Sequence, residues 1–170
     1  MSIRKKLYPW AITLPKKSAI DTATLFGLGN LSMPGTWGSA AGVLLYYIGF
    51  KDMKFIPYVI FSLFLAYAAA GICDTAERYI GARDPGQIIL DEIVAMPICF
   101  FPLFGSAFSV YGVLLGFVLF RFFDIKKPLF ISKMQNLEGG LGIVADDLAA
   151  AAVTCVCLNL SALAFHGIFA

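Results

Sequence analysis

The chain has 170 residues, of which 59% are hydrophobic and only 14% are charged, and its mean hydropathy is +0.81. A chain this apolar is not an ordinary soluble domain, so the sequence predicts one integral-membrane domain over residues 1–170. The net charge of +2 is too small, and the basic residues too dispersed, for nucleic-acid binding.

Residues 1–33 are predicted to form a cytoplasmic or interfacial N-terminal segment. The apolar run 20–33 is interrupted by Gly27, Gly29 and Asn30, so we expect it to lie on the membrane or to re-enter it. If this run were a true span, the N-terminal arm would change sides. No cleavable signal sequence is indicated, because the first apolar stretch is short and contains two prolines.

Residues 34–170 are predicted to form an all-α bundle of four to five membrane helices. Its connections are short, which makes neighbouring helices antiparallel. A span must cross a hydrocarbon core of about 30 Å at about 1.5 Å per residue. The runs that approach this length are 55–73, 88–104, 107–123 and 148–169. The shorter run 38–50 would cover only about 20 Å, so we expect it to begin inside the membrane, after a turn at residues 33–39.

The basic residues predict the orientation of this bundle. With these spans, eleven of the thirteen lysines and arginines fall on one side, and only Lys51 and Lys54 fall on the other. By the positive-inside rule the first side is cytoplasmic. We therefore predict a protein of the bacterial cytoplasmic (inner) membrane.

Six carboxylates lie at the ends of apolar runs, all on the predicted cytoplasmic side: Asp84, Asp91, Glu92, Asp124, Asp146 and Asp147. Ionisable groups at the edge of a span are costly and are typically functional. Oxygen ligands without clustered His or Cys favour a hard cation such as Mg²⁺. Two simpler interpretations stay open: Asp91 and Glu92 can favour a helix dipole, and an aspartate after the glycine-rich turn can act as a helix cap.

Several groups near these carboxylates are suited to binding phosphate. Arg121, Lys126 and Lys127 can donate to phosphate oxygens, although the lysines can equally anchor the helix at the headgroups. Backbone flexibility or hydroxyl groups are contributed by Gly139, Gly140, Thr36 and Ser39. A flexible loop and a Pro-Gly turn explain these two segments almost equally well.

The sequence lacks the residue patterns that other classes of phosphatase require. The spacing between Cys73 and Arg78 is one residue short for a cysteine phosphatase, and the four cysteines are expected to pack as small hydrophobic groups. The single histidine, His166, is expected on the far side of the membrane. The phosphatase chemistry that remains is one that uses a metal ion and carboxylates.

Four segments, in this order and spacing, resemble the phosphatidylglycerophosphatase A family. The family pattern PGTxGS corresponds to Pro34–Ser39, and FRxFDxxKP corresponds to Phe120–Pro128. Asp84 followed by the Asp91-Glu92 pair matches a second pattern, and Gly139–Asp147 matches GGxGI with a double Asp. Departures are Ala95, Phe130, Val144 and Ala151, none of which removes a carboxylate.

The resemblance implies an integral-membrane enzyme that uses Mg²⁺ to remove the terminal phosphate of phosphatidylglycerol phosphate. We hypothesise that all six carboxylates hold one or two Mg²⁺ ions, and that Asp91, Glu92, Asp124, Asp146 and Asp147 are catalytic. The predicted substrate-binding residues are Thr36, Ser39, Arg121, Lys126, Lys127, Gly139 and Gly140. An activated water attacks the phosphorus, or an aspartyl-phosphate forms. The alternatives are a CDP-alcohol phosphotransferase and a cation or proton carrier, and no oligomeric state is indicated.

Overall fold

The computed structural model describes residues 7–103, 108–128, 131, 134 and 137–164, and within these ranges the protein is all-helical, without strands. The α-helices whose bounds fall within these ranges are α1 (Lys16–Ala23), α2 (Pro34–Leu45), α3 (Phe55–Ile80), α4 (Leu90–Cys99), α5 (Val110–Lys126) and α6 (Gly140–Ala164). Helix α2 continues into a π-helical turn, Tyr46–Phe50, and short 3₁₀ turns occupy Ala11–Thr13 and Leu28–Asn30. The predicted all-α class is confirmed.

The short helix α4 lies at the centre of the bundle. It packs against α2, α3, α5 and α6, and α6 also contacts α3 and α5. Large side chains that are almost fully buried, Tyr46, Phe50, Phe100 and Phe120, fill the core around it. Residues on α4 are therefore surrounded by protein.

Among the described residues, two helices are long and apolar enough to cross a membrane. Helix α3 has 26 residues and α6 has 25. Helix α5, with 17 residues, is about 25 Å long, whereas α4 has only ten residues and is about 15 Å long. The run 88–104 was predicted as a span, but only part of it is helical. Four to five membrane helices therefore remain a prediction, and two are supported.

The C-terminal end of α4 is satisfied by side chains from α3 and α6. The Tyr58 hydroxyl donates to the carbonyl of Pro97 at 2.6 Å. The Asn159 amide donates to the carbonyl of Phe101 at 3.0 Å, and its Oδ1 accepts from the amide of Leu103 at 3.0 Å. Backbone groups inside a membrane need such partners because no water is available there. These bonds allow a short helix to end within the bundle.

Several helix boundaries differ from the predicted ones. The connection 74–87 between two predicted spans was expected to be a loop, but α3 continues to Ile80. No glycine or proline occurs from residue 74 to residue 80, and Gly81, with a φ of +79°, ends the helix. The segment 33–39 was predicted as a turn, but Pro34 opens α2, where its missing N–H costs nothing. Helix α6 begins at Gly140, so the double aspartate lies inside a helix rather than at its start.

The N-terminal segment contains no helix of spanning length among residues 7–33. Helix α1 has eight residues, and a left-handed turn follows it, in which Leu25, Phe26 and Gly27 have φ of 46°, 54° and 92°. Earlier residues bind along α3; for example, the Thr75 hydroxyl donates to the carbonyl of Ala11 at 3.0 Å. The predicted positions of Arg4, Lys5, Lys6, Lys133 and His166 lie outside the described residues.

Replacing Asn159 by leucine should lower the free energy of unfolding by about 1–3 kcal/mol, because the Leu103 amide loses its partner and the Phe101 carbonyl loses the Asn159 donor. The measurement is helix loss by circular dichroism during titration from mild detergent into SDS. Ser161→Ala is the control, since that hydroxyl donates only to the Cys157 carbonyl of its own helix. Equal stability of the Asn159 variant and the wild type would contradict the role given to Asn159.

Candidate active site

Three carboxyl groups meet at the centre of the bundle. Asp91 and Glu92 lie in the first turn of α4, and Asp147 faces them from the second turn of α6. One oxygen from each lies within 4.8 Å of the others. Asp91 and Asp147 are 7% and 3% exposed, so water does little to screen their charges. Asp146 and Asp124 lie beside them, and we call these five residues the acidic centre.

Several oxygens of the acidic centre are buried without a hydrogen-bond partner among the described residues. They are Asp91 Oδ1, Glu92 Oε2, Asp146 Oδ1 and Asp147 Oδ2. The carboxyl groups of Asp91 and Glu92 are within hydrogen-bonding reach of each other, as are those of Asp124 and Asp147. Buried, unpaired carboxylates this close repel one another unless a cation or a proton lies between them. The donor set, oxygen only, fits a hard divalent cation.

Two cations border the acidic centre. Arg121 Nη1 lies 2.7 Å from Asp124 Oδ2 and 3.7 Å from Glu92 Oε1. Lys127 Nζ donates to Asp146 Oδ2. Burial alone lowers the pKa of Lys127, but its hydrogen bond to Asp146 and the nearby carboxylates outweigh burial and raise the pKa above its usual value. Lys127 therefore stays charged at physiological pH, and with Arg121 it offers donors to an anion.

The N-terminus of α2 reaches the acidic centre because Gly35 and Gly38 lack side chains. A Cβ atom on Gly35 would lie 2.6 Å from Glu92 Oε1 and 2.7 Å from both terminal nitrogens of Arg121. One on Gly38 would lie 3.1 Å from Glu92 Oε2. The two glycines thus bring the backbone of α2 against the Glu92–Arg121 pair.

Other residues predicted for the site have different surroundings. Asp84 is exposed, outside the three-carboxylate group, although its charge acts on Asp91 and Asp146. Lys126 is exposed at the end of α5. Ser39 is fully buried, and its hydroxyl donates to the Gly35 carbonyl at 2.8 Å.

The remaining predicted phosphate-binding residues are Thr36, Gly139 and Gly140. Thr36 is half-buried in the first turn of α2. Gly139 has a φ of +65° and forms the turn that leads into α6. The Gly140 amide donates to Asp74 Oδ1 at 3.3 Å, and a Cβ there would overlap the carbonyl of Ala70. Gly140 therefore serves the close packing of α6 on α3.

Sequence reasoning missed two buried carboxylates on α3. Asp74 is 2% exposed and interacts with Arg78, whose Nε lies 3.4 Å from its Oδ2. Glu77 is 8% exposed, and its Oε1 accepts from the amide of Asp84 at 3.1 Å. The spacing of Asp74, Glu77 and Arg78 is helical, which could have identified the continuing helix.

The fold and these contacts define a membrane-type helical bundle with a buried acidic centre flanked by an arginine and a lysine. Comparison with protein-family models identifies the family: phosphatidylglycerophosphatase A matches residues 22–162, and the chain belongs to this family. It is therefore an enzyme, a phosphatase, as the family resemblance predicted.

Three curated relatives are similar over most of the chain. Phosphatidylglycerophosphatase A of Haemophilus influenzae is 36% identical over 128 residues, which cover 74% of this chain and 77% of the relative. The Escherichia coli protein of the same name is 32% identical over 76% of this chain and 74% of its own length. A Bacteroides thetaiotaomicron protein named "Putative phosphatidylinositol-3-phosphatase" is 30% identical, covering 73% and 82%. No solved structure matches the chain.

Gly35→Ala should reduce phosphate release by about 100-fold, because the added methyl group displaces Glu92 and Arg121, and small misplacements of this kind have effects of that order. The measurement is inorganic phosphate released from a lipid phosphate monoester in detergent micelles. Gly49→Ala is the matched control, since a Cβ there meets no atom within 4 Å. A Gly35 variant as active as the Gly49 variant would show that this close approach is not needed.

Proposed function

We propose that the protein hydrolyses phosphatidylglycerol phosphate to phosphatidylglycerol and phosphate, using Mg²⁺, at the cytoplasmic face of the bacterial inner membrane. The observation that carries this proposal is the meeting of Asp91, Glu92 and Asp147, with unpartnered buried oxygens, beside Arg121 and Lys127. Family membership and the names of two relatives support the substrate.

In this proposal Asp91, Glu92 and Asp147 hold the metal ion. Their free oxygens supply the negative charge and the hard ligands that Mg²⁺ prefers. When bound, the ion polarises the phosphoryl group and offsets charge that develops in the transition state. Asp84, included in the metal set from the sequence, would act at longer range from its exposed position.

Arg121 and Lys127 would position the terminal phosphate. Asp124 holds Arg121, and Asp146 holds Lys127, so each cation is fixed before substrate arrives. A guanidinium has five N–H donors, so Arg121 can bind Asp124 and still donate to phosphate oxygens. These cations also offset the repulsion that the acidic centre would exert on a phosphate.

A proton must leave the attacking water, and in this proposal Asp146 accepts it. Its Oδ2 accepts from Lys127, whereas its Oδ1 has no partner among the described residues. In this assignment Asp146 is the general base, and Lys127 stays protonated beside it. The aspartyl-phosphate route remains the alternative prediction.

Asp91→Asn and Asp147→Asn should each lower phosphate release from phosphatidylglycerol phosphate by about 100- to 1,000-fold, because each removes charge needed to stabilise the transition state. Activity is measured with purified protein, with Mg²⁺ and with EDTA. Asp52→Asn makes the same change on an exposed residue near the opposite end of the bundle and should keep full activity. Wild-type rates in either site variant would refute the assignment.

Asp147→Asn, which should lower activity, should raise the stability of the metal-free protein. Without metal, Asp147→Asn should unfold at a higher temperature than wild type, since each close pair of like charges costs about 1 kcal/mol even at the dielectric constant of water. Added Mg²⁺ should stabilise wild type, by about 2.7 kcal/mol at one hundred times its dissociation constant, and should leave the variant almost unchanged. Thermal unfolding in EDTA and in Mg²⁺ tests this. Equal Mg²⁺ responses would place the ion elsewhere.

A further inference from the structure

A cavity of about 390 Å³ is not used by the chemistry described above. Its lining includes Glu77, Arg83, Asp84, Gly139, Gly142 and Ile143, and we call it the side cavity. Binding sites for small ligands begin at about this volume, which is far larger than one water molecule needs.

Helix periodicity places the side cavity next to the acidic centre. On α6, Gly142 and Ile143 precede Asp146 and Asp147 by four residues. Residues four apart share a helix face, one turn or about 5.4 Å from each other. The side cavity is therefore about one helical turn from the carboxylates, on the side where α6 begins.

Helix α3 gives the same placement. Cys73 is fully buried and interacts electrostatically with Asp91, Glu92 and Asp147, so it lies behind the acidic centre. Glu77 follows it by one turn, towards the end of α3. Both helices thus place the side cavity about one helical turn from the acidic centre, where α3 ends and α6 begins.

The lining of the side cavity contains two carboxylates, those of Glu77 and Asp84, and one exposed cation, Arg83. The Glu77 carboxylate is buried and is held by the amide of Asp84 at 3.1 Å. Asp84 has a φ of +47°, an uncommon conformation for a residue other than glycine, and it is in this conformation that it donates to Glu77. Arg83 is exposed at the rim. A carboxylate accepts hydrogen bonds from hydroxyl groups, and a guanidinium binds phosphate oxygens.

We propose that the side cavity binds the glycerol and phosphodiester part of the lipid headgroup, with a glycerol hydroxyl donating to Glu77 and the phosphodiester accepting from Arg83. The terminal phosphate then lies at the acidic centre, one turn further in. This inference rests on the proposed function, and it makes Glu77 and Arg83 the residues that select a headgroup with a hydroxyl and a second anionic group.

Binding of the reaction product tests the side cavity separately from the acidic centre. Phosphatidylglycerol has the glycerol and the phosphodiester but no terminal phosphate. Short-chain phosphatidylglycerol should bind the purified protein, as measured by isothermal titration calorimetry in detergent, more tightly than short-chain phosphatidylcholine does. Glu77→Gln and Arg83→Gln should each weaken this binding about tenfold, the size expected for one charge-assisted hydrogen bond. In turnover, each variant should raise KM for phosphatidylglycerol phosphate about tenfold and keep kcat within about twofold.

Two variants act as controls. Asp52→Asn repeats the charge change of Glu77→Gln at an exposed site and should alter neither binding nor KM. Asp147→Asn should lose turnover and still bind phosphatidylglycerol. Because Arg83 is exposed, we expect Arg83→Gln to fold, so this variant still tests the inference if Glu77→Gln does not fold.

The outcomes distinguish this inference from the proposed function. If wild type releases phosphate from phosphatidylglycerol phosphate, but both side-cavity variants bind the product and turn over like wild type, the side-cavity inference is wrong. If wild type releases phosphate from phosphatidylinositol phosphate and not from phosphatidylglycerol phosphate, the proposed substrate is wrong, and the inference falls with it. Failure to hydrolyse any lipid phosphate would overturn the proposed function alone if phosphatidylglycerol binding still depended on Glu77.

Discussion

Repulsion between buried carboxylates is the constraint on which this structure depends. Asp91, Glu92 and Asp147 converge where water cannot screen them, and several of their oxygens lack protein partners among the described residues. Such a group is stable only with a compensating positive charge. Arg121 and Lys127 supply part of it from the end of α5. In the proposed function, a divalent cation would correct the remaining negative imbalance, so the carboxylates that repel one another would also form its binding site.

The short helix α4 makes this arrangement possible. A full-length span in its place would still carry Asp91 and Glu92 at one end, but α4 ends after ten residues. Tyr58 satisfies the carbonyl of Pro97 near its end, and Asn159 satisfies that of Phe101, just beyond it. A helix surrounded by four others presents its first turn to all of them. Carboxylates on that turn can therefore meet groups from α2, α5 and α6. Glycine at position 35 supplies the remaining clearance.

The sequence predicted the members of the acidic centre better than it predicted their local structure. Carboxylates at the ends of apolar runs are conspicuous because their charge is costly there, so Asp91, Glu92, Asp124, Asp146 and Asp147 could be identified individually. Hydropathy places a span boundary at the first charged residue, and for that reason Asp74 and Glu77 were assigned to a loop. Their burial depends on partners distant in sequence, such as the Gly140 amide for Asp74. The role of Gly35 likewise depends on Arg121, which lies 86 positions away in the sequence.

Chemistry and selectivity are placed under different constraints in this fold. The acidic centre is buried among helices, and a change in any of its charges unbalances the others. The side cavity has an exposed rim, formed where α3 ends and α6 begins, and Arg83 lies on this rim, outside the acidic centre. In the proposed arrangement, a bundle of this kind can keep one phosphate chemistry while accepting different headgroups, because the residues that would contact the headgroup lie outside the acidic centre.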